Sequence, residues 1–147
     1  MKSKISILSV ATAFLFVLCI PTVCLSAQEQ RVALVIGNGN YSFSPLSNPT
    51  NDADDMTTIL EKCGFTVIKI INATRKEMRR SIRKFGNEIA SEDAIGLFYY
   101  SGHAIQVDGE NFMVPLGASV YAEDGIEDEC LRVSAVLRKM AVSYTHL

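Results

Sequence analysis

Of the residues suited to nucleophilic or general-base work, this 147-residue chain holds two histidines and four cysteines. Cys19 and Cys24 fall in an apolar N-terminal stretch and His146 in an irregular tail, leaving His103, Cys63 and Cys130 in the body of the chain. Imidazole titrates near neutrality, so it can take or give a proton at physiological pH. A thiol attacks only as thiolate, which an electropositive setting favours. Cys130 follows Glu127-Asp128-Glu129, and carboxylates push a thiol pKa the wrong way for a nucleophile. Cys63 falls on the apolar side of a helical period and reads as a core position. His103 stands directly after an apolar run, with Gly102 before it to permit an unusual backbone angle. It reads either as a general base or as a strand-terminal histidine bonded to a loop.

The elements that must position His103 follow from periodicity. Val32 to Ile36 is a continuous β-branched run ending at Gly37, the pattern of a strand buried on both faces. After a loop rich in Gly, Asn, Ser and Pro, Asn51 or Asp52 is expected to cap a helix with apolar positions Ala53, Met56, Leu60 and Cys63, stopped by Gly64. Phe65 to Ile71 reads as a second strand. Thr74 and Glu77 form a capping box before a helix whose stripe is Met78, Ile82, Phe85 and Ile89. Ala94 to Tyr100 is the third strand, running into Ser101-Gly102-His103. A right-handed βαβαβ unit follows, with a largely parallel sheet and helices on both faces. Further on come a turn at Asp108-Gly109, an extended run from Asn111 to Leu116, an acidic loop and a helix from about Val133 to Met140.

In such sheets the chemistry collects at the carboxyl ends of strands. Gly37-Asn38-Gly39-Asn40-Tyr41 occupies one such end and Ser101-Gly102-His103-Ala104 another. The glycine cluster is a poor dinucleotide loop. Ser42 stands where the third glycine belongs, the helix starts about a dozen residues late, and the second strand ends at Ile71-Asn72-Ala73 without a ribose-binding acid. It reads as a tight turn leaving the central strand, with a nucleotide-binding receiver-type domain as the rival.

Composition sets further bounds. With 48% hydrophobic and 20% charged residues, the chain is a core-former and not disordered. Lys2 and Lys4, an apolar stretch from Ile5 to Ile20, and Leu25-Ser26-Ala27 give the order of a secretory signal over residues 1–27. Export to the periplasm or the extracellular space is expected, with membrane contact only through that signal. Of 14 basic and 16 acidic residues, removal of Lys2 and Lys4 leaves 12 basic and a net charge of −4, which argues against a nucleic-acid partner. Two remaining cysteines exclude a disulfide framework.

Several stretches together resemble bacterial caspase-like cysteine peptidases, the metacaspase-related group: the strand Arg31 to Ile36 with Gly37-Asn38-Gly39-Asn40-Tyr41; Leu46-Ser47-Asn48-Pro49-Thr50-Asn51-Asp52-Ala53; Phe98-Tyr99-Tyr100-Ser101-Gly102-His103-Ala104; and Val107-Asp108-Gly109-Glu110-Asn111-Phe112 with Val114-Pro115. The resemblance covers about Arg31 to Met140. It implies an α/β three-layer sandwich with a mainly parallel sheet, acting on protein or peptide substrates. His103 becomes the general base, and the backbone N–H of Ala104 contributes to the oxyanion hole, a main-chain role that survives Ala in place of the glycine common there. Asp52 matches an acid of the family's first helix and reads as a structural cap. No organic cofactor is implied; calcium activation is, since metacaspases often depend on it.

In caspase-like enzymes the cysteine follows the histidine by about 50 residues, which points to about position 153, past Leu147. The chain therefore reads as a fragment ending before the fourth core strand, inactive by itself, with residues 142–147 a non-native tail. A catalytically silent interaction module of the same fold is the alternative. No Arg or Lys lies between Gly37 and Asp52 to meet a substrate aspartate, so cleavage after Arg or Lys is expected. Arg75, Lys76, Arg79, Arg80, Arg83 and Lys84 hold half the basic residues after position 27; positions 75, 79 and 83 form one ridge opposite the second helix's apolar stripe, and the run reads as a solvated face. Glu123, Asp124, Glu127, Asp128 and Glu129 fit no EF-hand spacing and read as a flexible surface loop.

Overall fold

The computed structural model describes residues 29–91, 93–119 and 125–141. Residues 1–27, His146, the 142–147 tail, and Glu123 and Asp124 of the acidic run lie outside the described residues.

Strand β1 (Arg31–Gly37) is central, flanked in parallel by β2 (Thr66–Ile71) and β3 (Ile95–Ser101), giving the order β2-β1-β3. Every residue of β1 after Arg31 is buried, as its unbroken apolar run requires. Alternate side chains go to opposite layers. Val32, Leu34 and Ile36 meet helix α2 (Arg75–Glu88) through Met78, Ile82, Phe85 and the following Ile89. Ala33 and Val35 meet helix α1 (Pro49–Lys62) through Ala53 and Leu60. The capping box is present: one Glu77 carboxylate oxygen accepts from the Thr74 amide at 2.8 Å and hydroxyl at 2.7 Å.

Helix α1 starts a turn earlier than expected. Asn48 is the N-cap and Pro49 opens the helix, where its missing N–H costs nothing. Neither Asn51 nor Asp52 caps it. Cys63 is not a core residue: it is the C-cap, and Gly64 at φ 81° turns the chain away with Cys63 left exposed.

A second, antiparallel sheet follows. Strands β4 (Ala104–Val107) and β5 (Glu110–Met113) form a hairpin, and β6 (Leu131–Arg132) pairs with β5. The two-residue connection is Asp108-Gly109, with φ of 49° and 79°, the left-handed pair whose twist suits a hairpin. The acids Glu127, Asp128 and Glu129 lie on a short helix α3 (Ile126–Glu129), not a flexible loop, because Ile126 is buried under the hairpin with Phe112, Val114 and Cys130. The last helix α4 (Val133–Ala141) buries Val136 beside α2, completing the second helical layer. No helix among the described residues is long and apolar enough to cross a membrane.

Candidate active site

Gly37 and Ser101 face each other across β1 and β3, so the loops leaving the two strands emerge side by side. Two asparagines fix that edge. Asn38 is fully buried; its Oδ1 accepts from the Ala73 amide at 2.8 Å, while Nδ2 donates to the carbonyls of Ala73 at 3.3 Å and Val114 at 3.4 Å. Asn72, at φ 51°, accepts on Oδ1 from the amides of Gly39 and Asn40, each at 3.0 Å. The first loop is thereby shaped so that Tyr41 turns inward and is 2% exposed.

His103 sits between β3 and β4 with both main-chain polar groups held. Its amide donates to Tyr41 Oη at 3.2 Å. Its carbonyl accepts from Tyr100 Oη at 2.8 Å and from the Val114 amide at 3.0 Å. Tyr41 Oη in turn donates to the Val114 carbonyl at 2.8 Å. Burial pushes the pKa of both phenols up, so they stay neutral hydrogen-bonding groups.

Gly102 is glycine for a reason other than the expected backbone angle. Its φ is not positive, but a Cβ there would lie 2.7 Å from Tyr100 Oη and 2.8 Å from Tyr41 Oη. The small residue is what lets the two hydroxyls close over the chain before His103.

The imidazole is stacked on Phe43 with centroids 5.2 Å apart and tilted against Tyr41 at 4.5 Å. Its Nε2 lies 2.8 Å from the Ser44 carbonyl oxygen. A carbonyl only accepts, so Nε2 carries a proton, and in the singly protonated ring the lone pair is then on Nδ1. Nothing in the residue types announced Ser44: the orienting group is main chain, and only the apolar Phe43 beside it hinted that the loop packs on something.

Ala104 opens β4 opposite Met113. The Val114 amide bonds the His103 carbonyl, so the alternation of an antiparallel ladder makes the next pair non-hydrogen-bonded. The Ala104 N–H thus points out from the free edge of β4, one residue beyond the imidazole. Asp52, expected as a cap, instead accepts on Oδ2 from Ser101 Oγ at 2.9 Å, tying the first turn of α1 to the end of β3. A carboxylate therefore stands beside the strand that delivers His103.

Neither described thiol joins this group. Cys63 is exposed at the far end of α1. Cys130 is 3% exposed, packed with Tyr41, Phe112 and Val114, and makes no hydrogen bond to His103. Its pKa is pushed up by burial and then by Glu129, with Arg75 pulling the other way, which keeps it a thiol. Among the described residues no group of three or more His, Cys, Asp or Glu side chains is placed to hold a metal ion.

The arrangement supplies an oriented base with a free Nδ1 and, adjacent to it, an outward main-chain donor. Both groups lie on the carboxyl edge of the parallel sheet. Residues 30–142 match the model of the Caspase domain, and the chain belongs to that family, whose members are generally cysteine peptidases. It is 34% identical over 121 residues to the human mucosa-associated lymphoid tissue lymphoma translocation protein 1, covering 81% of this chain and 14% of that protein. The mouse homolog is 32% identical over the same share. Caspase b of Danio rerio is 28% identical over 97 residues, 64% of this chain and 24% of the relative. The chain thus spans about a seventh of the length of the mammalian relatives it matches.

Proposed function

We propose that this chain is the base-bearing part of a cysteine endopeptidase, with His103 as general base and general acid and the Ala104 amide as an oxyanion donor. The observation that carries the reading is the Nε2 contact to the Ser44 carbonyl, which leaves Nδ1 available and aims the ring. The nucleophile is a thiol other than Cys63 or Cys130, supplied downstream of α4 in the parent protein. Nδ1 takes the thiol proton, and the thiolate sulfur bonds to the scissile carbonyl carbon. The carbon–nitrogen bond breaks as His103 protonates the leaving amine. Water then attacks the thioester carbon, giving its proton to His103; the carbon–sulfur bond breaks, the acid leaves, and His103 returns the proton to the departing thiolate.

Specificity for Arg or Lys before the scissile bond belongs to the same proposal. Gly37 to Asp52 carries no cation, and the Asp52 carboxylate has no basic partner among the described residues, so a substrate guanidinium finds an anion and no competitor. Export, with the mature chain beginning near Gln28, and membership of the metacaspase-related branch rest on the sequence motifs; intact mass of the secreted product tests the first. Calcium dependence is tested by chelation.

The test uses the parent protein with its His103→Ala, Cys130→Ala and Asp52→Asn variants on fluorogenic Arg and Asp peptides. Activity on Arg peptides should vanish in His103→Ala, persist in Cys130→Ala, and fall mainly through KM in Asp52→Asn. Loss in both the His103 and Cys130 variants would make Cys130 the nucleophile and overturn the placement. A folded parent with no turnover would favour the interaction-module reading.

A further inference from the structure

Helix α2 carries a cationic groove that the site above does not use. Arg75, Lys76, Arg79 and Arg83 line a depression of about 310 Å³ along it. Six of the twelve basic residues after position 27 lie on this one helix, yet the ion pairs among the described residues are Arg31 with Glu29, Lys69 with Asp54 and Arg132 with Glu127, none of them on α2. Two of the nearby carboxylates are committed elsewhere, Glu77 to Thr74 and Glu127 to Arg132.

Arg75 gives a second, independent sign. Its Nε is buried without a hydrogen-bond partner, and its Nη2 reaches only the Glu127 carbonyl, at 3.5 Å. A solvated face, as the sequence suggested, satisfies its donors with water; here one is shielded from water and left unmet. The Arg75 side chain is thus held against the body of the chain, unlike the exposed cations after it.

The spacing says what kind of acceptor. Arg75, Arg79 and Arg83 are four residues apart, about 6 Å of rise per step along the helix. Alternate residues of an extended peptide are about 6.7 Å apart and project to the same side. Carboxylates at every second position of an extended segment therefore meet successive guanidiniums in register, each able to take the two-pronged geometry that Arg favours. A nucleic-acid strand has comparable phosphate spacing, but three or four cations on a chain of net charge −2 are few against the roughly 6–10 phosphate contacts that give strong, salt-dependent binding.

We propose that the Arg75–Arg79–Arg83 groove of α2 docks an extended protein segment bearing acidic residues at alternate positions. Binding as such does not depend on the peptidase reading; that the docked segment belongs to a substrate does.

The experiment titrates the parent protein with four fluorescent probes: a seven-residue Ser peptide with Glu at positions 1, 3 and 5, the same composition with the three Glu contiguous, the Gln counterpart, and a single-stranded oligonucleotide. The alternate-Glu peptide should bind at least three-fold tighter than the contiguous one and lose affinity as salt rises, and the Gln peptide should not bind. Arg79→Ala with Arg83→Ala, both exposed positions, should weaken binding at least ten-fold with an unchanged melting curve. Equal affinity for both Glu arrangements, tighter binding of the oligonucleotide, no binding at millimolar peptide, or full affinity in the double variant would each overturn the proposal.

Discussion

The hydroxyls of Tyr41 and Tyr100 lie 3.2 Å apart and grip the main chain of His103 by its two polar groups, one accepting from the amide and the other donating to the carbonyl. The position of the imidazole is thus set through its backbone before the side chain makes any contact.

Removing one hydroxyl should cost roughly 1 kcal/mol, the net worth of a buried hydrogen bond, in Tyr100→Phe. The pH dependence has a definite sign. Folding raises both phenol pKa values above the ordinary 10.0, so the stability they contribute is complete below pH 10 and declines as pH rises past it. Urea midpoints measured between about pH 8 and 11 should fall with pH in the wild type and fall less in Tyr100→Phe.

Gly102→Ala should cost about 1–3 kcal/mol, because the new methyl meets two hydroxyl oxygens inside contact distance. Combined with Tyr100→Phe, which removes one of them, the loss should be smaller than the sum. Additive losses in a double-mutant cycle would show that the clash is not with that hydroxyl.

Asn38→Ala strands the Ala73 amide at a position closed to water, and a loss of about 2 kcal/mol or more is expected in urea unfolding. Asn38→Asp retains the acceptor but buries a charge and gives up two donated bonds, so it should fare no better. Wild-type stability in either variant would remove Asn38 as the tie between β1, the β2–α2 junction and Val114.

Glu77 is fully exposed and its pKa is lowered, first by the Thr74 hydroxyl and then by the Thr74 amide. Its contribution is therefore present above the ordinary carboxylate value of 4.5 and lost as pH falls through the lower folded value. The gap between wild type and Glu77→Gln in thermal melts should be open at pH 7 and close towards pH 3 or so.

What the sequence made legible is what local pattern encodes. The unbroken run of β1, the stripe and capping box of α2 and the Asp108-Gly109 turn each lie within a few residues, and each stands as read. What it did not show depends on contacts between distant segments. Asn38 and Asn72 look like ordinary loop residues until the fold brings Ala73 and Gly39 to them. Asp52 sits where a cap belongs by type, but the bend before Pro49 starts the helix early and hands its carboxylate to Ser101, 49 residues away. Cys63 keeps the helical period but runs past the end of the buried face. His103 was visible as a candidate by its residue type and place after a strand; its partner at Ser44 was not, because main-chain carbonyls are the same at every position.

That last point bears on how the site can vary. The group that holds Nε2 is a peptide oxygen, so any amino acid at position 44 provides it, and a substitution scan across the loop would pass over the contact without a signal. Deleting or inserting a single residue between Tyr41 and Leu46 would instead slide a different carbonyl, or none, beneath the ring. Position 44 is free to drift in composition while the loop's length is pinned, which makes that position open to replacement and the loop closed to redesign by grafting.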